Sequence, residues 1–195
     1  LDNKTFSKFA ALSGQVPLVG VVSGRCFAGN AALLGCCDVI IADESANIGM
    51  AGPAMIEGGG LGKWQPQDIG PVSVHRENGV VDIVVADEAE AAEVAKRVLA
   101  CVQGSTTDWH AADQSELDAL MPINRRYAFD VRKIIRRLLD AESFIETRPD
   151  AGRAVVTGFA RVEGRAVAVL ASDCRHLGGA VRGRLRRERL QVVLP

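Results

Sequence analysis

The segment from Val16 to Ala42 constrains the fold more than any other part of this sequence. Residues 16–22 form a short apolar run rich in β-branched side chains, which predicts a buried strand, and residues 38–42 predict a second one. Between them, residues 29–37 are small and apolar on every side, which is typical of a short buried helix. Strand, loop, helix and strand in this order indicate a βαβ unit, so we expect an α/β fold.

The glycine-rich stretch of residues 49–62 carries no nucleotide-binding pattern. A phosphate-binding loop ending at Gly62-Lys63 needs a glycine where Glu57 stands and a serine or threonine where Trp64 stands. The strand-to-helix G-x-G-x-x-G fingerprint of dinucleotide-binding domains is also missing from the sequence. We therefore interpret residues 49–62 as a flexible loop with plain turn geometry.

The remaining patterns predict a third strand, three helices and a hairpin. The acidic pair Asp87-Glu88 precedes an apolar helical face. Acidic side chains are favoured at the start of a helix, so this pair predicts where the helix begins. Glu163-Gly164 lies between two runs of period two, as in a hairpin turn. In chain order the predicted elements are a strand at 80–86, a helix at 87–102, a polar linker at 103–113, helices at 115–120 and 127–139, and hairpin strands at 154–162 and 165–171.

Composition and charge place the chain among ordinary globular proteins. Its 195 residues are 48% hydrophobic and 24% charged, with a net charge of −1, so the charge gives no overall attraction to nucleic acid or membrane surfaces. No apolar run reaches the roughly 18 residues of a membrane span, and residues 1–10 lack a signal-peptide layout, so we expect no membrane association and a cytoplasmic location. Because the chain begins with leucine, we expect a fragment, a processed chain or a trimmed one.

Cysteine and histidine usage predicts neither disulfides nor a metal centre. The five cysteines are an odd number and contain no C-x-x-C pair, which favours reduced, mostly buried thiols. The histidines, His75, His110 and His176, are not at zinc-like spacing from those cysteines. We interpret each histidine as a surface residue or a hydrogen-bonded core residue.

Five arginines crowd into residues 182–189 and give this segment a net charge of +4. Such a patch can bind nucleic acid or phosphate. However, no aromatic residue is interleaved for base stacking and the rest of the chain is acidic, so we expect no nucleic-acid partner. A solvated end, or a stretch translated out of frame from a GC-rich message, is the better interpretation.

The turn after the first predicted strand carries the strongest chemical signal. Residues 23–30 lead from that strand into the helix of small residues, where unpaired backbone N–H groups direct a partial positive charge outward. Such amides suit a carbonyl oxygen that becomes negative during a reaction, and Ala28 and Gly29 are the candidate donors of an oxyanion hole. Their small side chains would let a thioester carbonyl approach. The alternative is a tight turn in which glycine only serves the geometry.

The order of these motifs resembles the crotonase superfamily. Residues 23–62, S-G-R-C-F-A-G-N-A-A-L-L-G-C-C-D-V-I-I-A-D-E-S-A-N-I-G-M-A-G-P-A-M-I-E-G-G-G-L-G, contain its small-residue turn, helix, C-D pair and apolar strand. Within it, the chain is most similar to the carboxyltransferase (beta) subunits of biotin-dependent acyl-CoA carboxylases of the acetyl- and propionyl-CoA type. Four further stretches carry this resemblance: G-V-V-D with D-E-A-E-A at 79–91, Y-x-x-D-V-R-x-I-I at 127–135, V-V-T-G-F-A-R at 155–161 and L-G-G-A at 177–180.

The resemblance implies two crotonase-like domains in tandem, each a superhelix of ββα units, in a homo-oligomer. Residues 1–103 then form the later part of the first domain, 104–150 a helical connector, 151–181 the opening hairpin of an incomplete second domain, and 182–195 the arginine-rich tail. Acyl-CoA is expected on the first domain, and biotin, as carboxybiotin on a carrier protein, on the second. Biotin carboxylase and the biotin carboxyl carrier protein are the implied partners.

The residues at the turn argue against hydration and for carboxyl transfer. Enoyl-CoA hydratases work with two glutamates, and the aligned positions here hold Ala32 and Gly52, so acid–base hydration lacks its groups. Carboxyl transfer does not need these two glutamates, because in the family the cofactor supplies the base. By resemblance, Ala28 and Gly29 hold the thioester enolate oxygen. The expected substrate-binding residues are Phe27, Asn30, Gly52 and Pro53, with a purely structural role as the alternative for Pro53. Asn30 is also expected to begin the helix and cap it.

Three functions remain open on this evidence. A carboxyltransferase is favoured by the ordered motifs. A biotin-dependent acyl-CoA decarboxylase of the same fold would use the same oxyanion hole, and a non-catalytic binding or assembly subunit would explain an incomplete second domain. The sequence does not determine the acyl chain length, the direction of the reaction, the oligomeric state or the residues of the biotin site.

Overall fold

A computed structural model describes residues 4–115, 117–124 and 126–180, which fall into two units of residues 4–96 and 97–180. The domain limits given by the resemblance, 103 and 150, remain a prediction. The arginine-rich tail of residues 182–195 lies outside the described residues. Within the described ranges, every helix is too short or too polar to span a bilayer.

A parallel three-stranded sheet forms the centre of the first unit. Its strand order is β1 (Val19–Val22), β3 (Val39–Asp43) and β5 (Ile83–Val85), and all five residues of β3 are buried, which confirms the predicted βαβ order. The elements of this unit are α1 Thr5–Ala10, β1 Val19–Val22, β2 Arg25–Phe27, α2 Gly29–Leu34, β3 Val39–Asp43, β4 Asn47–Gly49, α3 Pro53–Gly58, α4 Val72–Asn78, β5 Ile83–Val85 and α5 Glu88–Cys101, which continues into the second unit.

The helix α2 packs closely on the first strand because Gly20 has no side chain. A Cβ at Gly20 would lie 2.5 Å from Leu34 Cδ1 and 3.1 Å from Cys37 Sγ. Buried aliphatic residues from both layers, including Val22, Ala31 and Leu34, form the core around this contact. The small-residue character of residues 29–37 therefore reflects the short distance between helix and sheet.

The structure corrects the sequence interpretation in three places. Residues 25–27, expected in a loop, form β2, which pairs in parallel with β4 as a second small sheet. Part of the expected glycine-rich loop is the helix α3, which begins at Pro53 because proline is preorganised for the first helical position. The helices α1 and α4 were not predicted; α4 follows Pro71 and ends at Gly79, whose φ of 77° is the left-handed conformation that closes helices.

The five cysteines are free thiols, but fewer are buried than expected. Cys37 is buried, while Cys26, Cys36, Cys101 and Cys174 are half-buried. Burial raises the pKa of the Cys26, Cys37 and Cys101 thiols, because desolvation disfavours the thiolate. These three side chains therefore act as small apolar residues.

The second unit is built on the predicted antiparallel hairpin. The strand β7 pairs with β8 along its whole length and with the short strand β6, which the sequence analysis missed. The longer helix begins at Val131, four residues after the predicted start, because the Asp130 side chain caps it by accepting from Arg132 N–H. The elements are α6 Leu117–Leu120, α7 Val131–Leu138, β6 Ile145–Thr147, β7 Val155–Val162 and β8 Arg165–Ser172.

The hairpin turn is fixed by a buried carboxylate. Asp140, only 7% exposed, accepts from Glu163 N–H at 2.9 Å and from Gly164 N–H at 2.8 Å. Both turn residues have positive φ, as a tight turn between twisted strands requires. The Arg161 side chain donates to the carbonyl of Ala100 near the end of α5.

A charged cluster joins α7, β6 and the end of β8. Arg132 on α7 donates to both carboxylate oxygens of Glu146 at 2.9 Å and to Asp173 Oδ2 at 2.6 Å. Asp173 is fully buried and also accepts from Arg175, which contacts Asp130 at 2.9 Å. Because every charge in this cluster has an opposite partner, the buried carboxylate is tolerated.

We expect acid to weaken the protein through Asp173. Hydrogen bonds from Arg175, together with the Arg132 guanidinium, outweigh desolvation and hold the pKa of Asp173 well below its usual range. A carboxyl with a depressed folded pKa contributes stability above its unfolded pKa of about 3.9, and this contribution is lost as the pH falls below that value. Urea unfolding between pH 7 and pH 3 should therefore show a steeper loss of stability for the unmodified chain than for Asp173→Asn. Equal slopes would contradict this account.

Candidate active site

The predicted oxyanion turn is a strained junction between β2 and α2. Ala28 has φ of 54° and ψ of −119°, a conformation that non-glycine residues rarely adopt. Its N–H donates to Gly49 O at 2.9 Å, which continues the β2–β4 ladder in which Phe27 faces Gly49. The pairing of the two strands therefore holds the turn in its strained form, and it occupies the amide of one predicted donor.

The amide of Gly29 is the available donor of this turn. Gly29 is the first residue of α2, and Ala28 makes no side-chain cap for the helix. Among the described residues, none accepts a hydrogen bond from Gly29 N–H or Asn30 N–H. The expectation that Asn30 begins and caps the helix was wrong, because the helix begins at Gly29 and Ala28 occupies the cap position.

The structure brings the predicted pocket residues together. The Phe27 ring lies 3.5 Å from the position that a Cβ would take at Gly52, so the loop before α3 passes close to the ring. Pro53 follows as the first residue of α3, which gives it a structural role in starting that helix. Phe27, Gly52 and Pro53 are all half-buried. The residues therefore lie together, while their contact with acyl-CoA stays a prediction.

Sequence analysis missed Phe6, which lies over the turn. A Cβ at Gly29 would come within 3.0 Å of Phe6 Cζ, so this ring of α1 covers the glycine. Phe6 is itself 42% exposed, so the ring lies between the turn and solvent. No local pattern pointed to this residue, since α1 precedes the recognisable motifs.

Asp43 anchors the start of the turn. The carboxylate accepts from Ser45 N–H at 2.9 Å and from the Ser45 hydroxyl at 2.6 Å. Burial by itself would raise the pKa of Asp43, but hydrogen bonds from Ser23, Ser45 and Gly24 lower it below its usual range. Asp43 therefore stays ionised and holds the chain where it leaves β1.

Two side chains behind the turn were also missed. Asn47, 8% exposed, donates from Nδ2 to Gln67 O at 3.0 Å and to Ile69 O at 3.1 Å. His75 on α4 contacts Ile48 O through Nε2 at 2.8 Å. Both fix β4, the strand that accepts from Ala28. From the sequence, Asn47 is one polar residue within an apolar stretch, which is too common to single out. His75 was interpreted only as a surface residue or a hydrogen-bonded core residue, without a place near the turn.

A side chain at Gly70 is expected to disrupt this region. Gly70 has φ of 52°, and a Cβ there would lie 1.9 Å from Ile48 O. Gly60 is the matched control, since its φ of 73° imposes similar strain but a Cβ there meets nothing within 4 Å. We expect Gly60→Ala to lower the free energy of unfolding by about 1 kcal/mol, and Gly70→Ala by at least about 2 kcal/mol more, because the carbonyl must move. Urea unfolding of both variants tests this, and equal losses would contradict the close approach.

The described residues contain no group of three histidine, cysteine or acidic side chains arranged to hold a metal ion. Two grooves, of about 410 and 320 Å³, lie in the second unit and include none of the predicted site residues. The chemical features of the turn are therefore its backbone amides and the aromatic rings beside them.

Comparison with known proteins gives a consistent assignment. The carboxyl transferase domain family matches residues 3–184. The chain is 32% identical over 182 residues to the propionyl-CoA carboxylase beta chain of Rhodococcus erythropolis, covering 89% of this chain and 38% of the relative. It is 26% identical to the methylmalonyl-CoA carboxyltransferase 12S subunit of Propionibacterium freudenreichii subsp. shermanii, covering 91% of this chain and 36% of that subunit.

Comparison with solved structures gives the same assignment. A single-chain, multi-domain long-chain acyl-CoA carboxylase superposes with a TM-score of 0.91 at 53% identity, over 93% of this chain and 19% of that one. The transcarboxylase 12S structure, which describes a hexamer, superposes with a TM-score of 0.78 at 25% identity, over 91% of this chain and 36% of that one.

The fold is therefore the crotonase-like α/β fold that the order of motifs predicted. The chain belongs to the carboxyl transferase domain family. It spans less than two fifths of the length of the two curated relatives described above.

Proposed function

We propose that the natural protein containing this chain is the carboxyltransferase component of a biotin-dependent acyl-CoA carboxylase. The single observation that supports this most is the family match over residues 3–184, since it runs through the amide turn and both units. The reaction would move a carboxyl group from carboxybiotin to the α-carbon of an acyl-CoA. Biotin carboxylase and a biotin carrier would be its partners, in an oligomeric assembly.

The turn suits a reaction whose base comes from outside the chain. Residues 27–30 are Phe, Ala, Gly and Asn, so the junction between β2 and α2 carries no titratable side chain. Bound carboxybiotin would supply the carboxyl group and the basic group. This chain would then hold the thioester and exclude water, which requires positioned donors and apolar walls.

Gly29 N–H is the principal donor in this proposal. It would donate to the thioester oxygen, and the hydrogen bond would strengthen as that oxygen becomes an enolate. Asn30 N–H lies on the same first turn of α2 and is the second available amide. Ala28 N–H is the other donor expected from the sequence. It would be available to the thioester oxygen only if its hydrogen bond to Gly49 O were broken. Phe27, Gly52 and Pro53 would line the acyl-CoA side of the turn.

The function is tested by supplying the natural protein with biotin carboxylase, biotinylated carrier, ATP and radiolabelled bicarbonate. We expect label to enter an acyl-CoA. Acetyl-, propionyl- and long-chain acyl-CoA belong in the series, because the relatives named above include both a propionyl-CoA carboxylase and a long-chain enzyme. Loss of carbon dioxide from malonyl- or methylmalonyl-CoA without the forward reaction would favour the decarboxylase. Carrier binding with neither reaction would favour an assembly subunit.

A further inference from the structure

We propose that His75 is a positioning residue for the oxyanion turn, acting through β4 rather than on the substrate. This inference rests on the proposed function of the turn. One short path joins the imidazole ring to Ile48 by a hydrogen bond, runs along the backbone to Gly49, and reaches Ala28 by a second hydrogen bond.

The imidazole ring has a defined tautomer. Its Nε2 lies 2.8 Å from Ile48 O, and a carbonyl oxygen only accepts, so Nε2 carries the hydrogen and donates it. The other ring nitrogen, Nδ1, is buried and has no hydrogen-bond partner within the described part of the chain. The contribution of the side chain to β4 is therefore a single hydrogen bond at the Nε2 position.

The backbone of His75 is fixed as well. Its carbonyl accepts from Val80 N–H at 3.1 Å and from Val81 N–H at 3.2 Å, and Val81 is 1% exposed. The end of α4 is thus hydrogen-bonded to a buried segment of the first unit. The ring therefore presents its donor to Ile48 from a position on α4 that this segment holds.

The path from Ile48 to the turn is short. Ile48 N–H donates to Gly70 O at 2.8 Å, so this residue is held through its N–H by Gly70 and through its carbonyl by His75. The next residue, Gly49, accepts from Ala28 N–H at 2.9 Å. Ala28 keeps its φ of 54° while that bond holds it, and Gly29 N–H follows directly. Loss of the His75 donor would leave the Ile48 carbonyl without this hydrogen bond. The peptide between Ile48 and Gly49 could then shift and let Ala28 relax, which would misdirect the Gly29 amide.

The matched pair His75→Gln and His75→Asn tests this path. A glutamine amide reaches about as far as Nε2, whereas an asparagine amide reaches only as far as Nδ1, which has no partner among the described residues. In the natural protein we expect His75→Asn to lower kcat for carboxylation at least 10-fold with KM for acyl-CoA changed less than 2-fold. His75→Gln should keep kcat within 3-fold. Equal losses in the two variants would overturn the proposal.

Amide hydrogen exchange provides a readout that needs no activity. In His75→Asn we expect exchange of Ala28 N–H to accelerate at least 10-fold, while Ile41 N–H in the central sheet keeps its rate. His75→Gln should leave both rates unchanged. Acceleration at Ile41 equal to that at Ala28 would show general unfolding and overturn the positioning role. If the protein catalyses no carboxylation, the exchange rates still show whether His75 holds Ala28 in place. Failure of the proposed function can therefore be distinguished from failure of this inference.

Discussion

Gly29→Val in the natural protein is expected to lower kcat for carboxyl transfer about 100-fold or more, the effect of losing one oxyanion donor. The added side chain would stand beside the amide that the thioester oxygen must reach. Its Cβ would lie 3.0 Å from Phe6 Cζ, so the branches of valine would fill the space between the turn and α1. Because Gly29 has helical backbone at the start of α2, the fold should tolerate the substitution.

Gly35→Val is the matched control for this experiment. Gly35 follows the other end of α2, is exposed and has φ of −63°, and a Cβ there meets its neighbours at ordinary distances of 3.4 Å and more. We expect this variant to keep kcat within about 3-fold, with both variants melting within a few degrees of the parent. Unchanged carboxylation by Gly29→Val would remove the turn from the proposed active site.

Arg132→Met is expected to lower the free energy of unfolding by about 3–5 kcal/mol, because it removes the cation that Glu146 contacts and leaves buried Asp173 with Arg175 alone. Asp173 is fully buried, and Glu146 has a side chain only 16% exposed. Methionine matches the length of the arginine stem but donates to neither carboxylate. The substitution would also remove the guanidinium that links α7, β6 and the end of β8.

Lys133→Met controls for charge and helix propensity. Lys133 is the next residue of α7 and is exposed. We expect this variant to lie within about 0.5 kcal/mol of the parent, since exposed cations contribute little. Urea unfolding at neutral pH measures both. An Arg132→Met loss as small as that of Lys133→Met would mean that Arg175 alone stabilises Asp173.

The sequence determined the strands and helices whose burial follows a local pattern. The apolar runs predicted β1, β3 and β5, and period two predicted β7 and β8, because a strand buried on one or both faces shows this directly in its residues. Asp87 marked the start of α5, where its side chain accepts from Glu90 N–H at 2.9 Å. The order of the motifs was sufficient for the family.

The candidate site was predictable only in part. The small residues 28–29 identified the turn, since a helix start with little side-chain bulk is visible in the sequence. Which amide is available was not, because Ala28 N–H bonds to Gly49 across 21 positions of the chain. Local composition does not specify a partner at that separation.

Only the tertiary structure decided the parts that depend on distant partners. The pairing of β2 with β4, the bond from His75 to Ile48 and the cluster around Asp173 each join segments that show no pattern of their own. A hydrogen bond or ion pair needs particular atoms within about 3 Å, and the packing of the whole unit sets those distances. Apolar burial depends on residue type averaged over a segment, so the sequence by itself determined which segments form the buried layers. The tertiary structure determined which polar atoms meet between those layers.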